Sequence, residues 1–107
     1  MTGIVHYKRT ERFMLLYALY RKGNASMDFG YNMRDLASEE GLGYKVFKSA
    51  FDYLCGEGLL RPRAQSDSQE HFFFAGITDK GINAVEDVFR DESKDTYYFP
   101  AYRDMML

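Results

Sequence analysis

The sequence predicts an α+β domain, mostly α, and three observations predict it. Apolar residues recur at three- and four-residue spacing in four segments, the period of a helix buried on one side. The polar, turn-forming stretch "AQSDSQE" (64–70) separates two short apolar runs and marks a β-hairpin. Hydrophobic residues make up 46% and aromatics 17% of 107 residues, enough for one core without disulfide or metal staples.

The first helix is expected over 10–22, "TERFMLLYALYRK", with Thr10 as its cap and Glu11 at its positive end. Phe13, Leu16, Tyr17 and Tyr20 form its apolar face, Arg21 and Lys22 suit its negative end, and Gly23-Asn24 stop it. The connector "NASMDFGY" (24–31) carries a short extended piece at Met27–Phe29 that can pair with a later strand. A second helix follows Asn32, a good N-cap, with Asp35 in its first turn, and stops at Gly41. Leu36 and Ala37 face inward.

The third helix spans about Gly43 to Glu57. Phe47, Ala50, Phe51 and Leu54 share one face, while Tyr44, Lys45, Lys48, Ser49 and Asp52 share the other. Gly58 ends it, and Leu59-Leu60 open a strand to Arg63. "HFFFAGI" (71–77) is the return strand, with Phe73 pointing opposite to Phe72 and Phe74. Thr78 caps a fourth helix whose inward residues are Ile82, Val85, Val88 and Phe89. Residues 1–92 thus read as the domain and 93–107 as a C-terminal aromatic tail. Pro100 bars a long helix there, yet Tyr97, Tyr98, Phe99, Tyr102, Met105 and Met106 are too apolar for a solvated end.

Two local patterns, "DLASEEGLGYKVFKSAFDYLCGEGLL" and "ITDKGINAV", resemble the winged helix-turn-helix family of bacterial transcriptional regulators. The first is similar to that family's leucine-alanine helix, turn, recognition helix and glycine-leucine-aliphatic exit. The second is similar to the aliphatic-threonine-x-x-glycine segment that follows the wing. The resemblance covers roughly residues 10–92; size and fourth helix are similar to small PadR-like and MarR-like regulators, with no subfamily assigned. It implies a three-helix core, a β-hairpin wing over 59–77, and the helix at 43–57 in the major groove of double-stranded DNA. On that reading Tyr44, Lys45, Lys48 and Ser49 reach DNA, while Arg34, Arg61 and Arg63 hold its backbone. A transcriptional regulator acting as a homodimer is the function implied.

Charge distribution agrees in sign. Residues 1–63 hold ten Lys/Arg against seven Asp/Glu, and residues 64–107 hold four against nine, within a net charge of −2. The wing tip, however, carries Asp67 and Glu70 and no base beyond Arg63, which is a poor phosphate clamp. Lys45 and Lys48 also read as an ordinary solvated helix face. The alternative function is therefore a winged-helix protein-protein interaction module that does not touch DNA.

The tail has two readings: packing back on its own domain, or forming the dimer or partner interface through Tyr97, Tyr98, Phe99, Tyr102, Met105 and Met106, residue types enriched in such surfaces. "GIVHY" (3–7) can join the same surface. Catalysis is the least favoured class, because no nucleophile motif, phosphate loop or carboxylate pair is present. No metal or cofactor is expected: His6 and His71 lack ligand partners at suitable spacing, and Cys55 is a single thiol without basic neighbours. No polar constellation identifies a small-molecule effector. No signal peptide or membrane span is recognised, so the cytoplasm is the expected compartment.

Overall fold

The computed structural model describes residues 3–63 and 73–105. The expected hairpin tip at 64–70, with His71, Phe72 and Met106, lies outside them. Four helices and a three-stranded antiparallel sheet follow in the order α1 (Gly3–Lys22), β1 (Gly30–Asn32), α2 (Met33–Glu39), α3 (Tyr44–Gly56), β2 (Leu60–Pro62), β3 (Phe74–Ile77) and α4 (Asp79–Arg90), then a single 3₁₀ turn at Tyr102–Asp104. The architecture is α+β and mostly helical.

α1 begins seven residues before the expected start. Thr10 does not cap it; it lies two turns inside and is buried. The early turns are stable because the tail rests against them, as described below. The expected one-sided apolar face is also too narrow. Phe13, Leu15, Leu16, Ala18 and Leu19 are all buried, so the buried face of α1 is wider than that. A helix buried this widely belongs at the centre of a domain, and α1 packs against α2, α3, α4 and β3.

β3 lies in the middle of the sheet, with β1 and β2 antiparallel on either side. The extended piece expected at Met27–Phe29 forms instead at Gly30–Asn32, three residues on, where Gly30 registers with Gly76 and Tyr31 with Ala75. Two features fix the shift. Asn24 and Ala25 adopt positive φ in a turn that uses up the start of the connector, and Met33 N–H donates to Phe73 O at 2.8 Å, which carries the ladder to the start of α2.

α4 starts where Thr78 caps it: Oγ1 accepts from Gly81 N–H at 3.0 Å and donates to Gly58 O at 2.6 Å, tying the helix to the chain leaving α3. Gly81 is buried against that same segment. A Cβ there would collide with the Leu59 carbonyl and stand 2.8 Å from Ile77 Cγ1. Alanine inside a helix normally stabilises by about 1 kcal/mol over glycine. Here the sign reverses: Gly81→Ala is expected to lower unfolding free energy by roughly 1–3 kcal/mol through overpacking, measured by urea titration.

The tail is part of this core. Phe99, Ala101 and Met105 are buried, and the Phe99 ring meets Phe13 at 5.2 Å. Tyr102 packs on Phe89 at 4.8 Å. Arg9 holds the backbone in place: Nε donates to Tyr98 O at 3.1 Å, and Nη2 to Thr96 O and Tyr97 O at 2.9 and 3.2 Å. His6 Nε2 lies 3.0 Å from Asp104 O. Phe99 and Met105 are thus corrected from interface residues to core residues, because apolar contact with α1 and α4 takes them out of solvent. Tyr98 and Tyr102 are half-buried, and among the described candidates only Tyr97 stands out, 84% exposed.

Candidate nucleic-acid interface

The sharp turn between α2 and α3 places the candidate residues. Asn32 Oδ1 accepts from Arg34 N–H and Asp35 N–H at 3.0 and 3.2 Å, fixing where α2 starts. Gly41, at φ +79°, supplies the left-handed residue that ends it. Leu42 N–H then donates to Ala37 O at 2.8 Å and folds the turn back on α2. α3 begins at once, and Phe47, Ala50, Phe51 and Leu54 bury its inner face. Its outer face carries Tyr44, Lys45, Ser49 and Asp52 into solvent, with Lys48 partly covered.

Three candidate residues meet at the start of α3. The Arg34 guanidinium sits 5.0 Å above the Tyr44 ring. The ring is wedged by Phe47 and Phe73, with centroids at 6.0 and 6.3 Å, yet the residue remains 50% exposed. Lys45, next in the chain, is exposed and, among the described residues, has no ion-pair partner. Arg34 and Tyr44 are ten positions apart, and only the turn stacks them. Such a cation–aromatic pair is held in orientation while the guanidinium edge keeps its donors available.

Lys48 stands differently. Its Nζ donates to both carboxylate oxygens of Asp52, at 2.6 and 2.8 Å, and that hydrogen bond holds its pKa above the ordinary lysine value. Any anion approaching Lys48 would have to compete with this local carboxylate.

Arg61 and Arg63 form a second group on the outer face of the sheet. Arg61 registers with Gly76. With Met27, Asp28, Arg63, Ile77 and Thr78 it lines a surface depression of about 130 Å³. No α2 or α3 residue lines that depression, so the two groups are distinct. Arg63 is a correction. Its guanidinium donates to Asp28 O at 3.0 Å and to Met27 O, and lies over Gly76, whose missing side chain leaves the room. It fastens the lead into β1 onto the sheet, and two of its N–H donors are used there. Arg61 remains exposed.

Arg9 is the residue whose part the sequence did not disclose. Its signal was the uninterrupted, proline-free run from Gly3 into the first helix.

Cys55 is half-buried in the last turn of α3. Burial, with Asp52 nearby, pushes its thiol from the ordinary 9.0 up to about 11. A higher pKa leaves less thiolate, so at pH 8 it holds roughly a hundredfold less than an unburied thiol. Alkylation by iodoacetamide is expected to be at least about tenfold slower in the folded chain, and to recover in urea, as mass spectrometry would record. Among the described residues no group of three His, Cys, Asp or Glu is placed to hold a metal ion, and no helix is long and apolar enough to cross a membrane. No known protein family, curated protein or solved structure matches the chain.

Proposed function

We propose that the chain is a winged-helix protein that binds duplex DNA, with α3 as recognition helix and the β2–β3 hairpin as wing, acting as a dimeric cytoplasmic transcriptional regulator. The observation that carries this reading is the group at the start of α3. Arg34 stacks on a wedged, half-exposed Tyr44, and Lys45, next in the chain, is exposed. The helix-turn-helix pair presents this group outward while the opposite face of α3 is sealed in the core. Arg34 and Lys45 suit phosphate oxygens or guanine edges, Ser49 suits either, and the Tyr44 ring suits a thymine methyl or the sugar edge. Arg61, on the sheet, is a further backbone contact. The reading assigns no enzymatic reaction and no cofactor.

A second reading has specific support. Lys48 is bound to Asp52 and Arg63 to backbone carbonyls, which thins the positive surface, and Tyr97 is largely exposed. These favour a winged-helix protein-interaction module. Amide chemical-shift mapping with a random-sequence duplex separates the two. Perturbations gathered at Arg34, residues 43–49 and Arg61 are the expected result. Saturating duplex that leaves those amides unmoved would reject the DNA reading.

A further inference from the structure

A second group of rings and cations lies on the other side of α3. Tyr53 comes nine residues after Tyr44, about two and a half helical turns, so the two rings leave the helix in opposite directions. The Arg12 guanidinium stands 3.7 Å from the Tyr53 ring centroid. Lys80 Nζ lies 5.5 Å from the Tyr98 ring and donates to Glu57 O at 2.9 Å. Tyr97 meets Tyr98 edge-on, with centroids 4.8 Å apart. Burial raises the Tyr53 pKa, and Glu57, Tyr98 and Tyr97 raise it further while Arg12 lowers it, which places all of them in one cluster. Lys8, one turn before Arg12 on the same face of α1, is exposed. Among the described residues Lys8, Arg12 and Lys80 have no ion-pair partner. The projecting ring is anchored. Tyr97 is 84% exposed, yet Arg9 donates to the carbonyls of Thr96, Tyr97 and Tyr98 and fixes the backbone beneath it. A ring held in solvent gains little for folding, but it is a preformed surface for stacking.

We infer that this face binds single-stranded nucleic acid, with a base stacked on Tyr97 and the phosphates passing over Lys8, Arg12 and Lys80. This goes beyond duplex binding at the start of α3, since it uses another surface and another form of nucleic acid. Sequence-tolerant single-strand binding combines cations that follow the backbone with aromatic rings that receive the bases. A closed duplex keeps its base faces inside the stack, out of reach of a protruding ring. Arg12, held against Tyr53, presents an oriented guanidinium that suits a phosphate. An acidic peptide would satisfy the three cations but leave the open face of Tyr97 without a use. The contacts fall on phosphates and ring faces, so preference for sequence is weak. The 2′-hydroxyl has no part in them, so DNA and RNA strands bind alike.

Fluorescence anisotropy of the full chain with a labelled oligothymidine of about 12 nucleotides, within the usual site size, tests this face. Tyr97→Ala is expected to weaken binding at least about fivefold, the lower end for losing one stacked base. Tyr97→Phe should stay within about twofold of wild type, because the ring and not the hydroxyl receives the base. An abasic oligomer of the same length should bind more weakly and be indifferent to Tyr97→Ala. Lys8→Gln with Lys80→Gln should lower the salt slope by about 1.4, at ~0.7 for each single-strand phosphate contact. Arg34→Ala with Lys45→Ala should lose duplex affinity yet hold oligothymidine within about threefold, so the two surfaces fail or stand separately. Loss of oligothymidine in that variant would move the strand to the outer face of α3 and overturn the inference. Absence of binding at low salt, or equal sensitivity of the abasic oligomer to Tyr97→Ala, would overturn it too. So would poly-glutamate that competes as strongly as unlabelled oligothymidine, which would assign the face to an acidic protein partner.

Discussion

Phe99→Ala is expected to cost about 3–5 kcal/mol of unfolding free energy, the range for emptying a phenylalanine-sized space in a core that cannot collapse around it. The ring is fully buried and meets Phe13 on the central helix. Its backbone is fixed as well: Thr96 N–H donates to Phe99 O at 2.8 Å, and Phe99 N–H to Thr96 Oγ1 at 3.0 Å. Local slippage therefore cannot refill the space. Domains of this size are stable by only about 5–15 kcal/mol, so one tail residue decides a large share of the total. Tyr97, two positions earlier, is largely exposed, and Tyr97→Ala should change stability by less than about 0.5 kcal/mol. Urea titration of both variants measures the contrast. Equal small effects would mean that the tail does not belong to the core.

The second large effect falls on DNA binding. Arg34→Ala with Lys45→Ala should weaken binding to random duplex by more than about a hundredfold at low salt, at about 1.5–3 kcal/mol for each charge-assisted contact. The slope of log K against log salt should fall by about two, at ~0.9 for each lost phosphate contact. Lys48→Ala should do less, because its ammonium already pairs with Asp52 at 2.6 Å. Asp52→Ala should then tighten binding by freeing Lys48. Arg34, Lys45 and Asp52 are exposed and Lys48 partly so, and circular dichroism would confirm that all three variants fold. If the double variant and Lys48→Ala lost the same amount, the ranking drawn from the ion pair would be wrong.

The helix pair that carries the candidate site was legible because its signals are local. Asn32, Gly41 and Gly58 act through the backbone of their immediate neighbours, and the 47–50–51–54 face needs only helical period. What the sequence left hidden depends on distant partners. Thr10 looked like a cap because nothing nearby reveals that Arg9 will bind carbonyls almost ninety positions away. The wide buried face of α1 could not be told from a narrower one, since the burial of Leu15 and Leu19 depends on elements whose placement only the fold decides. Arg63 looked like a phosphate ligand. Its capture follows from the register that sets Gly76 beneath its guanidinium and brings the lead into β1 alongside. The Lys48–Asp52 pair is the exception, since its i,i+4 spacing was on view and only its consequence for phosphate binding was not drawn.

The central claim is that the start of α3 engages duplex DNA through charge. A salt titration of binding to random-sequence duplex by fluorescence anisotropy, on protein of measured oligomeric state, tests it most directly. Arg34, Lys45 and Arg61 are the exposed cations of the surface, so the account predicts a slope near 3 for a monomer and about 5 for a dimer, at ~0.9 per phosphate contact. Absence of binding at low salt, or binding whose affinity does not change with salt, would contradict it.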